Sequence, residues 1–237
     1  MSIRTFGATR FINPQTQRAS NQRISNYSYQ TSFCLRHGIE YDLQLRDRCY
    51  ACGVITSALN NHELGCVRGH GSNISARHNE VRDELAATLR EIGGVVEVEP
   101  MPFPNSNLRT DIRWVIDGCD YHFDVSIINP LGLSYIYHAA KRRLGAAADR
   151  EKQKRKKYDH LCKTINAEFI PIVIESYGGI GNEFTLFITR LQKIASQHMT
   201  QTDPNIRISE MLDRIVYLVL TLNGMIMKWA SAQRARS

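Results

Sequence analysis

The sequence lacks two features that would direct the chain out of the cell or into a membrane. Its first residues contain no basic segment followed by an apolar one that ends in small residues, which is the pattern of a secretory signal. Its longest apolar-rich stretch, 215–227, is interrupted by Asn223 and Gly224 and is shorter than the about 20 residues that cross a bilayer. We therefore expect a soluble, non-secreted protein of the nucleus or cytoplasm that makes no membrane contact.

Acidic residues are the scarcer charged class. The 23 Asp and Glu residues stand against 30 Lys and Arg residues, which gives a net charge of +7 and a pI near 9.2. Such an excess favours a polyanionic partner, although it is also ordinary for a soluble protein. Without a secretory signal, unpaired or metal-bound thiols are favoured over disulfides. The six cysteines are Cys34, Cys49, Cys52, Cys66, Cys119 and Cys162.

The length of 237 residues favours one main domain, because single domains usually contain about 100 to 200 residues. The predicted order of helix, strand, hairpin, helix, strand and further helices indicates a mixed α/β sheet flanked by helices. The predicted parts are a flexible basic arm and short helix over 1–48, a zinc knuckle over 49–74, a core over 75–200 and a C-terminal helix over 201–237. Strands are predicted over 95–99, 111–116, 121–128 and 169–175, and helices over 31–47, 75–92, 135–165 with an interruption near Gly145, 182–197 and 206–230.

A compact set of metal-ligand residues lies between Cys49 and Cys66. Cys49 and Cys52 form a Cys-x2-Cys knuckle, and His62 and Cys66 follow with the spacing of one helical turn. Four such ligands complete a tetrahedral zinc site that leaves no position for substrate. His70 could replace one ligand, and a pair of stray buried thiols is the alternative.

Two acidic residues stand in consecutive predicted strands. Asp111 begins one strand, Asp124 lies within the next, and Asp117-Gly118 between them is a typical hairpin turn. A hairpin would bring the two carboxylates together, where a hard divalent cation such as Mg²⁺ or Mn²⁺ would offset their repulsion. In the alternative, Asp111 caps a turn and Asp124 faces water.

A basic helix follows the hairpin. Lys154 and Tyr158 share one helical face, and Arg150 lies one turn earlier. Lys154 is the expected cation for offsetting charge at a reacting phosphate. The run 152–157 could instead be solvated or track a phosphate backbone, as could Arg4, Arg10, Arg18 and Arg23 of the arm.

The succession of motifs over about 49–180 resembles the restriction-like endonuclease region of site-specific non-LTR retrotransposons, which belongs to the PD-(D/E)XK nuclease superfamily. The motifs are Cys-x2-Cys-Gly, His-x3-Cys, Arg-His-Asn, Glu-Pro, Arg-x-Asp-Ile, Asp-Val-Ser, Arg-Glu-x2-Lys-x2-Lys-Tyr and Pro-Ile-Val-Ile-Glu. Thr110 stands in place of the superfamily's Pro. Ser126 stands in place of its Lys, which transfers the basic role to the helix.

The resemblance implies a restriction-endonuclease-like core preceded by a structural zinc site. It implies that Asp111 and Asp124 bind Mg²⁺, that Lys154 and Tyr158 are the displaced catalytic pair, and that Glu80, or else Glu84, is the acid of the first core helix. Glu175 is a weaker candidate for a further acidic role. The side chains expected to bind nucleic acid are Arg77, His78, Arg150, Lys156 and Lys157.

The expected activity is therefore Mg²⁺-dependent hydrolysis of DNA phosphodiesters, of the kind that nicks a retrotransposon target. Double-stranded DNA is the expected partner, with RNA or branched DNA as alternatives, and a homodimer or a reverse transcriptase as the expected protein partner. Polymerase motifs are absent from the sequence itself. Two alternatives remain open, a zinc-containing nucleic-acid-binding protein with an inactive nuclease fold and a nuclease resembling Holliday-junction resolvases.

Overall fold

A computed structural model describes residues 24–37, 39, 48–49, 51–55, 62–103 and 106–234. Most of the predicted basic arm, including its four arginines, lies outside these residues. The helices are α1 (Asn26–His37), α2 (Val67–Ile92), α3 (Ile136–Lys141), α4 (Gly145–Thr164), α5 (Asn182–His198) and α6 (Pro204–Arg234), with a 3-10 turn over His62–Gly65. The strands are β1 (Val95–Val98), β2 (Ile112–Ile116), β3 (Cys119–Ile128) and β4 (Glu168–Glu175).

The four strands form one mixed sheet in the order β1-β2-β3-β4. Strands β1, β2 and β3 are antiparallel neighbours, whereas β4 pairs with β3 in parallel after a crossover through α3 and α4. Asp117 and Gly118 both have positive φ angles, 50° and 73°, as the predicted two-residue hairpin requires. Pro171 lies in the edge strand β4, where the missing N–H costs least, as its position in the sequence predicts.

Helices cover both faces of the sheet, so the chain is an α/β protein with a mixed sheet flanked by helices. Alternate residues of the strands, such as Trp114, Phe123 and Ile172, pack with α2, α5 and α6 in the main core. The residues between them face α4, whose Ala146 and Ala147 pack on Ile128 and Val173. This alternation follows from the two-residue period of a strand.

Helix α6 covers most of the range 201–237 for which the sequence predicts a C-terminal helix, and it is part of the main core. Five of its side chains lie in the core cluster: Ile208, Met211, Leu212, Ile215 and Val219. Its segment Pro204–Ala232 is long and apolar enough to cross a membrane by length and composition, which the shorter run 215–227 was not. Half of that segment's apolar window is buried within the protein. The expected absence of membrane contact stays a prediction.

Two predicted helix starts differ from the structure, and one predicted interruption is confirmed. Helix α1 begins at Asn26, inside the predicted flexible arm, where it packs against α6. Helix α2 begins at Val67 rather than after Ser75, because its N-cap residue Cys66 belongs to the metal-ligand cluster and fixes the start two turns earlier. The basic helix predicted over 135–165 is interrupted, as expected near Gly145, and a Cβ at Gly145 would collide with the carbonyl oxygen of His138.

Candidate functional site

An open pocket of about 370 Å³ lies between strand β3, helix α2 and helix α4. It contains both predicted metal-binding carboxylates and the predicted cation. Its lining residues are Ile74, Arg77, His78, Asp111, Asp124, Val125, Ser126, Ile127, Ile128, Tyr135, Arg150 and Lys154. The pocket therefore joins residues from four segments that are distant in the sequence.

Helix α4 and strand β3 meet in a matched register. Arg150 Nε donates to Ser126 Oγ at 3.3 Å, and one helical turn later Lys154 Nζ lies 2.5 Å from Asp124 Oδ2. Four helix residues advance about 6 Å and two strand residues advance about 6.6 Å, so the side chains of the two elements stay opposite one another. The α4 residues that face the sheet are thus fixed by geometry, which selects Lys154 from the basic run.

Asp124 is a buried carboxylate with one close cation. It is 4% exposed, and burial raises the pKa of its carboxyl, while Lys154 lowers that pKa and the charge of Asp111 raises it. The influence of Asp111 shows that the two acids are within electrostatic reach of each other. The hairpin therefore brings them together as predicted, and Asp124 does not face bulk water as the alternative required.

Asp111 precedes β2 and is held by two other elements. Its Oδ2 accepts a hydrogen bond from the backbone N–H of Val125 at 2.6 Å, and its Oδ1 lies 3.3 Å from His78 Nε2. His78 was predicted to bind nucleic acid, and it lies inside the pocket against a carboxylate. The Arg-His-Asn motif placed His78 near the site, but only the folding of α2 across the sheet shows which group it contacts.

Tyr158 supports the pocket from behind. Its side chain is 2% exposed, and its hydroxyl donates to the carbonyl of Arg109 at 2.9 Å and accepts from Lys157 Nζ at 2.8 Å. Burial raises the pKa of this hydroxyl, and the charge of Asp124 raises it further. Tyr158 is thus positioned to orient Asp124 and the segment that precedes Asp111, as a neutral hydroxyl.

Three of the predicted functional positions lie elsewhere or differ in role. Lys156 is exposed on α4, away from the residues that line the pocket, and Lys157 binds the hydroxyl of Tyr158. Both remain candidates for contacts with phosphate outside the pocket. Glu175 lies at the far end of β4 and binds the N–H of Ala147, so it plays no part in the pocket.

Arg77 is buried, which corrects its predicted role in binding nucleic acid. The side chain is 1% exposed, its NH2 donates to the carbonyl of Leu64 at 2.9 Å, and its NH1 donates to Asn223 Oδ1. Burial lowers the pKa of the guanidinium to about 10. Arg77 therefore joins the metal-ligand segment, α2 and α6. It is also one of the residues that line the pocket.

The predicted acid of the first core helix is also corrected. Glu80 is exposed on α2 and is not among the described residues that line the pocket, because Val81 and Leu85 turn toward the core and direct Glu80 away. Glu84, the other candidate, forms an ion pair with Arg214, whose Nε lies 2.8 Å from Glu84 Oε2, and so joins α2 to α6. From this helix the pocket receives His78 instead.

Cys49, Cys52, His62 and Cys66 form the predicted second cluster. Their ligand atoms all lie within 4.8 Å of one another, with 3.7 Å between the sulfurs of Cys49 and Cys66 and 3.0 Å between Cys52 Sγ and His62 Nε2. Three sulfurs and one imidazole are ligands of a structural zinc site, so the cluster can bind a metal ion such as zinc. The side chain of His70, the predicted substitute ligand, lies outside the described residues.

The backbone around this cluster has the form of a knuckle. Gly53 has a φ of 73° and its N–H bonds to the carbonyl of Cys49, which turns the chain so that both thiols converge. Burial opposes ionisation of the Cys52 thiol, but hydrogen bonds from Val54 and the neighbouring thiols, with the charge of Arg68, hold its pKa below the usual value. A thiol that ionises readily suits a metal ligand, since the thiolate is the binding form.

No protein-family model matches this sequence, and no curated protein matches it. The residues of the pocket and of the metal-ligand cluster are therefore the grounds for a functional proposal.

Two buried glutamates outside the pocket hold the first turns of α4 and α5. Glu175 accepts a hydrogen bond from the N–H of Ala147 at 3.4 Å, and Glu151 accepts one from the N–H of Glu183 at 2.9 Å. The residues preceding the two helices, a leucine and a glycine, have no side-chain oxygen that could accept a hydrogen bond from the first N–H groups. Burial raises the pKa of each of the two carboxyls to about 7. The sequence gives no sign of this role, because Glu151 stands within a basic run.

These two glutamates should make the protein less stable as the pH rises from 4.5 to about 7. The native state retains protons that the unfolded chain releases first, so the free energy of unfolding falls through this window and levels off above it. The difference in free energy of unfolding between Glu151→Gln and the wild type should therefore be more favourable to the variant at pH 8 than at pH 4, by up to about 3 kcal/mol. Urea unfolding at both pH values measures this change.

A matched control is Glu168→Gln, which alters an exposed glutamate paired with Arg190 on the surface. This control should show the pH dependence of the wild type. Equal pH dependence in the Glu151→Gln variant and the wild type would contradict the assignment of Glu151.

Proposed function

We propose that this chain is a Mg²⁺-dependent DNA endonuclease of the PD-(D/E)XK kind. The observation that carries the proposal is the meeting of Asp111, Asp124 and Lys154 in one open pocket. Two carboxylates and one lysine are the groups that hydrolysis of a phosphodiester requires around the scissile phosphate. The mixed sheet flanked by helices is the fold class that the resemblance implies, and it supports the restriction-like assignment.

The donor set suits Mg²⁺ better than zinc. Asp111 and Asp124 supply carboxylate oxygens, and Mg²⁺ is usually bound through one or two carboxylates together with water and substrate phosphate. The raised pKa of Asp124 indicates that burial and the neighbouring charge of Asp111 disfavour its ionised form, which a cation would relieve. When bound, Mg²⁺ would supply a Lewis acid and lower the pKa of a coordinated water.

Lys154 is the residue that we assign to the reacting phosphate. Its ammonium is held beside Asp124 by the register of α4 on β3, and its side chain retains 13% exposure toward the pocket. A fixed cation there would offset the negative charge that develops on the phosphate oxygens. This position supports the migration of the superfamily's lysine from residue 126 to α4, since Ser126 lies on the same wall and binds Arg150.

The remaining groups of the site orient these three. Tyr158 fixes the segment before Asp111 through the carbonyl of Arg109, and the N–H of Val125 fixes one oxygen of Asp111. Arg150 reaches into the pocket beside Ser126 and would hold a second phosphate of the DNA backbone. The chain's net charge of +7 fits a polyanionic substrate.

The metal-ligand cluster has a structural role in this proposal. Zinc held by Cys49, Cys52, His62 and Cys66 would have no open position for substrate, because all four ligands come from the protein. Arg77 connects this cluster to α2, because its guanidinium donates a hydrogen bond to the carbonyl of Leu64.

One observation favours a second candidate, a zinc-containing nucleic-acid-binding protein without turnover. The protein itself already provides partners for both pocket carboxylates, since Lys154 pairs with Asp124 and the N–H of Val125 binds Asp111. A site of this kind is stable without a metal ion. A nuclease that prefers branched DNA, like Holliday-junction resolvases, differs from the main proposal in its substrate.

Metal-dependent cleavage separates these candidates. With Mg²⁺ the purified chain should nick or cut supercoiled plasmid, EDTA should abolish cleavage, and added Mg²⁺ should restore it. A binding protein without turnover would retain the plasmid in gel-shift assays and leave it intact at every metal concentration. Branched and linear duplexes of equal length, compared in the same assay, identify preference for a junction.

A further inference from the structure

Helix α3 and the loop before it place exposed apolar side chains beside the pocket. Leu133 and Tyr137 are 73% and 62% exposed, and Ile136 is 44% exposed. We define Leu133, Ile136 and Tyr137 as the apolar tip. Large apolar side chains that remain in water together commonly mark an interaction site.

The apolar tip is carried on a well-anchored base. Tyr135, Ala139 and Leu144 pack against the cluster that joins Ile128 of β3 to α4. The turn before the helix is closed by Asn129, whose side chain accepts a hydrogen bond from the N–H of Leu131 at 3.1 Å. The tip is therefore held in place by the same strand that carries Asp124.

The residues that follow the tip in the chain are basic, although Asp149 of α4 also lies against α3, with its Oδ1 3.9 Å from His138 Nε2. Lys141, Arg142 and Arg143 follow it and are all exposed, and Lys141 Nζ lies 3.8 Å from the centre of the Tyr137 ring. No Asp or Glu stands in the sequence between Asp124 and Asp149. An apolar tip inside an acid-free basic segment is complementary to a nucleic acid, in which phosphates surround stacked bases.

We propose that the apolar tip inserts into the base stack of duplex DNA next to the phosphate held in the pocket. Tyr135 lines the pocket and stands two residues from both Leu133 and Tyr137, so one duplex can contact both. Apolar side chains that enter a base step unstack and kink the duplex, and the cations that follow neutralise the adjacent phosphates. The inference rests on the proposed function, because it takes the pocket as the site of a DNA phosphodiester.

The test is base unstacking measured without cleavage. A series of duplexes that carry 2-aminopurine at staggered positions is mixed with the chain in Ca²⁺ in place of Mg²⁺. The wild type should raise the fluorescence at one or two neighbouring positions, since 2-aminopurine brightens when it leaves the stack. The double variant Leu133→Ala/Tyr137→Ala should lose this signal and bind intact duplex about tenfold more weakly.

Two controls, a variant and a mismatched duplex, distinguish insertion of the tip from a general loss of DNA binding. Leu186→Ala removes a side chain that is 66% exposed on α5, across the sheet from α4, and it should behave as the wild type. The double variant should bind a duplex with one mismatched pair almost as tightly as the wild type does, because that pair is already unstacked before the protein binds. Unchanged unstacking in the double variant, or equal loss in Leu186→Ala, would overturn the proposal.

Other occupants of the tip would also be detected. Binding of the wild type, but not of the double variant, to vesicles of anionic phospholipid would assign the tip to a membrane surface and overturn the proposal. A dimer that dissociates on the same substitution, measured by sedimentation without DNA, would assign the tip to a second copy and overturn it likewise. If no DNA is cut but unstacking persists, the endonuclease proposal fails and the insertion proposal stands.

Discussion

Asp124→Asn should reduce the rate of Mg²⁺-dependent DNA cleavage by roughly 10³-fold or more, while leaving the fold intact. The substitution keeps the shape of the side chain and removes a charge that burial disfavours, although it also leaves the Lys154 ammonium without its charged partner, so the fold of the variant is verified by circular dichroism. What it removes is the carboxylate that faces Lys154 and shares the pocket with Asp111. Single-turnover cleavage of a labelled duplex measures the rate.

Asp120→Asn is the matched control for this variant. Asp120 lies on the same strand, is paired with Arg113 at 2.8 Å, and is not among the described residues that line the pocket. It should lower the rate by less than about tenfold. Cleavage by Asp124→Asn at the rate of the wild type would remove the catalytic assignment, and DNA binding retained by this variant would separate chemistry from affinity.

Lys154 provides an independent check on the same pocket. Lys154→Ala should reduce the cleavage rate by about 10²-fold. Lys156→Ala, at an exposed position of α4 two residues later, should mainly weaken DNA binding, and more so as the salt concentration rises. An equal effect of the two substitutions would assign the whole basic run to phosphate contacts.

Under the proposed structural zinc site, Cys52→Ser should abolish metal binding by the cluster and destabilise the whole domain. Loss of one thiolate opens a four-ligand site, and metal binding in such sites contributes directly to folding. Because Arg77 ties this segment to α2 and α6, the loss should reach the main core. We expect a fall in the melting temperature of about 10 °C, which corresponds to about 3 kcal/mol in a domain of this size.

Metal content measured by atomic emission and thermal melting should change together in this variant. Cys119→Ser is the control, because Cys119 is an exposed thiol outside the cluster. It should keep both the zinc and the melting temperature of the wild type. Unchanged zinc content in Cys52→Ser would remove the assignment of the cluster, and lost zinc with an unchanged melting temperature would remove its structural role.

The parts of the site that could be predicted are those that local geometry fixes. The spacing of Cys49, Cys52, His62 and Cys66 identifies a cluster because each ligand pair is set by a single turn. The meeting of Asp111 with Asp124 follows from a two-residue hairpin turn between their strands.

The predictions that were wrong concern residues whose positions depend on long-range packing. Whether Arg77 reaches solvent is decided by Asn223, which lies 146 residues away in sequence and accepts its hydrogen bond. Whether Glu80 or His78 enters the pocket is decided by the rotation of α2, and that rotation follows from how the helix packs on the sheet and α6. Neither the acceptor nor the rotation has a local signature. The choice of Lys154 needed the register of α4 on β3, although helical spacing had restricted it to one face.

The burial of Arg77 limits how this protein can be divided or recombined. A shortened chain that began at Ser75 would keep most of α2 and most of the pocket residues, but it would leave the Arg77 guanidinium without the carbonyl of Leu64. The guanidinium would keep Asn223 but lose its second acceptor, and a buried cation with an incomplete set of partners costs free energy, so such a fragment would lose stability at Arg77 in addition to the packing of α1 on α6. The metal-ligand segment around 49–66 is therefore not an interchangeable module. A change in its length or type would have to arise together with a change at residue 77.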